Sequence, residues 1–154
     1  MLKEFLSSVS IFDSLSDEII SVIEKSVSLR EYPKGSMVIL EEEFGDIVFI
    51  IKKGTVKITR VNDEGKEVIL AMLGEGEIFG EVGPIIEAPR TVNAIAKTNC
   101  TLREIDNRTL QNKLNNADPV LTGIIRGLSL RIGDANALAE KYWQELSVYK
   151  SLEK

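Results

Sequence analysis

Between Met37 and Ile105 the chain is cut into short runs rich in valine and isoleucine, each stopped within a few residues by glycine or acidic residues. "MVIL", "IVFIIKKG", "TVKITRV", "EVILAML", "GEGEIFG", "TVNAIAKT" and "CTLREI" follow one another, punctuated by Gly45, Gly54, Gly65, Gly74 and Gly76. A helix of ordinary length does not fit between such stops, but strands of about four to eight residues do. The spacing therefore predicts about eight antiparallel strands in a jelly-roll β-barrel, a mainly β fold with flanking helices. "VNDEGKE" lies between two alternating runs and reads as a hairpin, with Gly65 free to take positive φ.

The flanks follow a different period. Before "YPKGS" (Tyr32 to Ser36) the chain reads as helix, with Ser16 as N-cap, Asp17 and Glu18 in the first turn, and Ile19, Ile20 and Ile23 as the apolar face. A further helix is expected after Ile105. From Asp118 a long helix is predicted, with Asp118 as N-cap and Pro119 in its first turn. Leu121, Leu128, Ala135, Tyr142 and Tyr149 share one heptad position; Ile125, Ile132, Ala139 and Leu146 share the other. A seam held for about four heptads predicts a parallel coiled-coil homodimer through a helix about 40–45 Å long. Trp143, Tyr142 and Tyr149 are expected in that packing, and Gly123 and Gly127 permit close helix approach. The expected division is residues 1–117 for the β domain with its N-terminal helices and 118–154 for the dimerisation helix.

Charge and composition remove several function classes. The formal net charge is −5, against a nucleic-acid surface built from clustered Lys and Arg. Histidine is absent, which removes Ser-His and Cys-His catalysis and most zinc and haem chemistry. A cupin-like enzyme fits the β pattern but needs metal ligands; the expectation is no metal and no enzyme. Cys100 is a lone cysteine in a strand. No apolar run approaches a membrane span, and a cytoplasmic protein without membrane contact is expected. The acidic run Glu41–Glu43 reads as a solvated loop.

The chemistry concentrates in "IFGEVGPIIEAPRTVNAIAK". Gly80 lets backbone approach a ligand closely. Glu81 is an acceptor for hydroxyl donors. "VGPII" is long enough for one helical turn, whose first N–H groups are free. Pro89 fixes the backbone before Arg90, whose guanidinium grips phosphate as a charged fork, with the Thr91 hydroxyl beside it. Together they ask for a ligand with sugar hydroxyls at one end and a phosphate at the other.

"FGEVGPIIEAPRT" resembles the phosphate-binding cassette of cyclic nucleotide-binding domains, of general form F-G-E-apolar-A-L-apolar-x-x-x-P-R-A/S/T-A. "YPKGSMVILEEEFGDIVFIIKKGTVKI" is similar to the early strands of that family. "DEGKEVILAMLGEGEIFGE" is similar to the approach to the cassette in catabolite-activator-type regulators, and the long final helix to their dimerisation helix. The resemblance implies a sensor for cAMP, with cGMP second. Glu81 would accept from the ribose 2′-hydroxyl and Arg90 would pair with the cyclic phosphate. Phe79, Gly80, Val82, Gly83 and Pro89 complete the cassette, and Thr91 stands where the family has a small residue touching phosphate. Ala71 and Leu73 would line the pocket from a strand, and Asn136 would reach the base from the long helix.

Two features depart from the family. Its Ala-Leu is here Gly83-Pro84, which removes a backbone N–H, and Val92 and Asn93 replace a small pair. A helix-turn-helix domain of about 70 residues follows the long helix in catabolite-activator-type regulators. None lies within these residues, so either a regulatory subunit acting on a separate effector protein, without direct nucleic-acid contact, or a fragment of a larger regulator is implied. The alternative is a ligand-free β-roll serving dimerisation or protein interaction.

Overall fold

A computed structural model of the chain describes residue 25 and residues 27–152. The expected helix around Ser16–Ile23 lies outside the described residues. The strands are β1 (Val27–Tyr32), β2 (Met37–Ile39), β3 (Ile47–Lys53), β4 (Val56–Val61), β5 (Glu67–Leu73), β6 (Ile78–Phe79), β7 (Asn93–Ala96) and β8 (Cys100–Asp106). The helices are α1 (Val82–Ile86), α2 (Asn107–Asn115) and α3 (Pro119–Leu152).

The strands form two antiparallel sheets of four, ordered β1-β8-β3-β6 and β2-β7-β4-β5. No closed ring of hydrogen bonds joins them among the described residues, which corrects the expected barrel to a two-sheet roll. The physical reason is length: edge strands β6 and β2 have two and three residues, too few to carry a ladder around a corner. A second correction concerns β1. Val27–Tyr32 pairs with β8 along its whole length, Val27 opposite Ile105 and Tyr32 opposite Cys100, so the chain before Tyr32 is strand where helix is expected. The strands number eight, as expected, but the eighth is β1, which precedes Met37.

Between the sheets lies one apolar cluster that includes Ile39, Phe49, Ile51, Val56, Ile58, Phe79, Ala94, Ala96, Cys100 and Leu102. Phe49 and Phe79 stack at 5.0 Å between ring centroids, which anchors the short β6 where the site begins. The β4–β5 hairpin closes as its sequence indicates: Gly65 has φ 75° and Asn62 N donates to Lys66 O at 2.9 Å. A bulge follows, because Ile58 pairs with Ala71 while Thr59 pairs with Ile69. The extra residue, Leu70, re-phases the strand next to the site.

The Asp118 carboxylate accepts from Val120 N at 2.8 Å and Leu121 N at 3.3 Å, capping α3 where the sequence places the cap. At 34 residues α3 is about 50 Å long. It packs on α1, α2 and β5. A side chain at Gly123 or Gly127 would stand in open space within the protomer, whereas Gly133 faces Thr91 and Val82. Leu121, Leu128, Tyr142 and Tyr149 of the seam are 53–69% exposed.

Candidate functional site

The site starts where β6 ends. Gly80 has φ 75°, and a Cβ there would stand 2.7 Å from Ile39 Cδ1. Backbone conformation and crowding both demand glycine. Glu81 then caps the single turn α1 without a side-chain hydrogen bond. The turn ends at Glu87, held left-handed at φ 54° with its N–H on Gly83 O, and Ala88 N donates to the same oxygen at 2.9 Å. A Cβ on Gly83 would sit 2.9 Å from Ala88 O, so glycine lets the chain fold back this tightly. That reversal returns Arg90 to Gly80.

Arg90 is 7% exposed. Its Nη1 donates to Gly80 O, and its Nη2 donates to Ile47 O at 2.7 Å. Its backbone pairs both ways with the β2–β3 loop: Glu42 N donates to Arg90 O, and Arg90 N donates to Glu43 O, each at 2.9 Å. Gly45 of that loop lies against the guanidinium; a Cβ there would be 2.6 Å from Nε and Nη2. Burial lowers the Arg90 pKa, and the charges of Asp46 and Glu81 oppose the shift. Arginine stays protonated regardless, so the site holds a fixed cation. Burial raises the Glu81 pKa above its ordinary 4.5, opposed by its own backbone N–H and by Arg90.

A cavity of about 190 Å³ opens between α1, β5 and α3. Ala71, Leu73, Phe79, Gly80, Glu81, Val82, Gly83, Arg90, Thr91 and Asn136 all line it; of the residues singled out in the sequence, only Pro89 lies outside the lining. Residues from β5, the β6–α1 turn, the segment after it and α3 are thus brought to one place. The lining adds Ile39, Ile58, Ile78, Val92 and Ile132, which the sequence reading missed. Strand alternation is the available signal for Ile58. Ile132 reads as a seam residue and also walls the cavity. The cavity surface is apolar apart from an acid, a cation, a hydroxyl and an amide. Such a surface suits a flat ring system carrying hydroxyls and one negative charge.

Asn93 is buried, and its Oδ1 accepts from Glu41 N at 2.8 Å, a structural task. Glu41 corrects the expectation of a solvated acidic loop: its side chain is 14% exposed and pairs with Arg60 at 2.8 Å. Cys100 is a buried free thiol. Among the described residues no group of three or more His, Cys, Asp or Glu could hold a metal, and no helix is long and apolar enough to cross a membrane.

The CRP-like cAMP-activated global transcriptional regulator of Mycobacterium tuberculosis (strain ATCC 25618 / H37Rv) is 28% identical over 135 residues, 88% of this chain and 60% of that regulator. The cGMP-dependent protein kinase, isozyme 2 forms cD5/T2, of Drosophila melanogaster is 31% identical over 123 residues, 77% of this chain and 13% of the kinase. The chain therefore spans three fifths or less of these relatives. Among solved structures, cAMP-bound PfPKA-R (141-441) superposes with a TM-score of 0.66 at 25% identity, over 72% of this chain and 39% of that one. The family model for the cyclic nucleotide-binding domain matches residues 29–117, more than half of the sequence. The chain belongs to the cyclic nucleotide-binding domain family.

Proposed function

We propose that this chain is a sensor for a cyclic nucleotide, cAMP first and cGMP second, and that it regulates rather than catalyses. The observation that carries this is the convergence of Glu81 and the buried Arg90 on one apolar cavity. Glu81 accepts from the ribose 2′-hydroxyl, and Arg90 neutralises the cyclic phosphate. Gly80, Val82 and Gly83 let backbone approach the sugar and phosphate. Ala71, Leu73 and Phe79 pack beside the ligand, Pro89 sets the backbone before Arg90, Thr91 adds a hydroxyl and Asn136 meets the base. The relatives named for cAMP and for cGMP both support a nucleotide of this class.

Ligand binding biases α1, α2 and α3 as far as the two arrangements differ in affinity. The output runs through a homodimer on the exposed α3 seam to a separate effector protein, in the cytoplasm. On this reading residues 1–117 sense and 118–154 transmit. Sedimentation of Leu128→Glu should give a folded monomer where the parent gives a dimer. Calorimetric titration with cAMP and cGMP tests the central reading: heat with either ligand, lost in Arg90→Ala, supports it, and no heat at millimolar ligand refutes it.

A second reading is a ligand-free interaction module. It is favoured by the two backbone carbonyls already engaging Arg90 and by Pro84, which deprives the turn of one N–H. The same titration separates the two.

A further inference from the structure

Ile132, Asn136 and Glu140 are spaced one turn apart and share a face of α3. The first two line the cavity. The third reaches the β-roll beside it, with Glu140 Oε2 3.1 Å from Arg60 Nη1. Arg60 stands on β4, and its Nε donates to Glu41 Oε1 at 2.8 Å. The three side chains are largely withdrawn from water, at 24% exposure for Arg60, 14% for Glu41 and 13% for Glu140. Glu41 is fixed in turn, because its second oxygen accepts from Val61 N at 3.3 Å and its own N–H donates to Asn93. The next two residues of that loop hold the backbone of Arg90. A solvated surface pair contributes little, but a guanidinium carrying carboxylates on two nitrogens, mostly out of water, is a stronger joint.

We infer that Arg60 clamps the Glu140 end of this α3 face against the roll, and that opening the clamp withdraws the helical wall of the cavity. The wall's role toward a nucleotide rests on the function proposed above; the clamp does not. Counting charges gives a signature. With Glu140 neutral, Arg60 keeps Glu41 and the helix loses its tie. With Arg60 neutral, two carboxylates flank an uncharged side chain and repel. Glu140→Gln therefore loosens α3 in the native background but tightens it in an Arg60→Gln background. A packing role alone gives the same sign in both.

Hydrogen–deuterium exchange over residues 134–144 of the full chain, without ligand, reads this directly. Exchange should be about tenfold faster in Glu140→Gln, faster still in Arg60→Gln, and slower in the double variant than in Arg60→Gln. Should Arg60→Gln fail to fold, salt replaces it: raising salt from about 0.05 to about 1 M should accelerate exchange in the parent and leave Glu140→Gln unchanged. Unaltered exchange in Glu140→Gln, a like sign in both backgrounds, or in the salt arm a parent that does not respond, overturns the clamp. cAMP titration of the same proteins tests the wall. A parent that binds while Glu140→Gln binds equally well overturns it. A parent that binds neither cAMP nor cGMP sinks the nucleotide reading and leaves the exchange pattern to decide the clamp.

Discussion

Arg90 donates through Nη2 to the carbonyl oxygen of Ile47 at 2.7 Å, from 43 positions away in sequence. With Gly80 O on Nη1, two backbone carbonyls solvate the buried cation before any ligand arrives. Removing the side chain orphans both oxygens as well as the charge. Arg90→Ala should cost about 1–3 kcal/mol of stability in urea unfolding and at least about tenfold in nucleotide affinity by calorimetry. Arg90→Lys keeps the charge but not the planar fork, and should recover little of either. Full affinity in Arg90→Ala would remove this residue from the site.

Two glycines separate site from scaffold. At Gly45 the nearest atoms a methyl group would meet belong to the guanidinium of Arg90, at 2.6 Å from Nε and Nη2. At Gly54, φ is 99° and a methyl group would stand 2.6 Å from the Asn99 carbonyl, which the backbone fixes. Gly45→Ala should therefore displace Arg90, lowering nucleotide affinity by about tenfold as well as stability, by up to the roughly 1–3 kcal/mol expected of Arg90→Ala. Gly54→Ala should lower stability by about 1–2 kcal/mol or more and leave affinity near the parent value. Calorimetry and melting on both variants check the pair, and the opposite assignment would contradict the packing.

Burial lifts the Glu81 carboxyl above its ordinary 4.5, against the pull of its own backbone N–H and of Arg90. Between that value and the raised one, the folded protein keeps a proton that the unfolded chain has released. Stability from this group is complete below pH 4.5 and drains away as pH rises through the folded pKa. Glu81→Gln does not ionise, so its melting advantage should be near zero in acid and grow toward neutral pH. Nucleotide binding runs the other way. An ionised carboxylate is the better acceptor for a hydroxyl, so affinity should weaken as pH falls through the raised pKa. Melting curves that differ by the same amount at about pH 4 and about pH 7 would count against a raised pKa at the half-buried Glu81.

The roll was legible where local pattern and tertiary demand agree. Val- and Ile-rich runs with glycine stops give β3 to β5, and Asp118 before Pro119 gives the start of α3. Where partners are distant, local pattern fails. "VSLREY" exposes four of its six residues and has no apolar run, so only pairing with β8, more than 60 positions on, makes it a strand. Glu41 sits in an acidic run that looks solvated; its burial comes from Arg60, 19 positions away, and through Arg60 from Glu140. Ile132 obeys the heptad, but a heptad identifies a face without saying what covers it. The cassette was the readable part of the site because its contacts lie within about a dozen residues of one another. The β2–β3 loop over Arg90 was not, since nothing near Gly45 signals an arginine 45 positions on.

Pro84 is the third residue of α1, within the turn whose leading N–H groups have no acceptor in the helix. Proline therefore costs the turn no helical hydrogen bond, but it removes one of the turn's free N–H donors. Pro84→Ala restores that N–H in a buried segment whose carbonyl oxygen is already held by Gln111 Nε2. Without ligand the new donor lacks a partner and the chain regains backbone freedom, so stability should fall by about 1–3 kcal/mol. With a cyclic phosphate in place the donor finds a charged acceptor, and affinity should rise by about tenfold. Opposite signs on melting and on binding are the expected result. A fall in both would mean that the turn does not face the phosphate, and with it the ribose-to-phosphate orientation from Glu81 to Arg90 would have to be reversed.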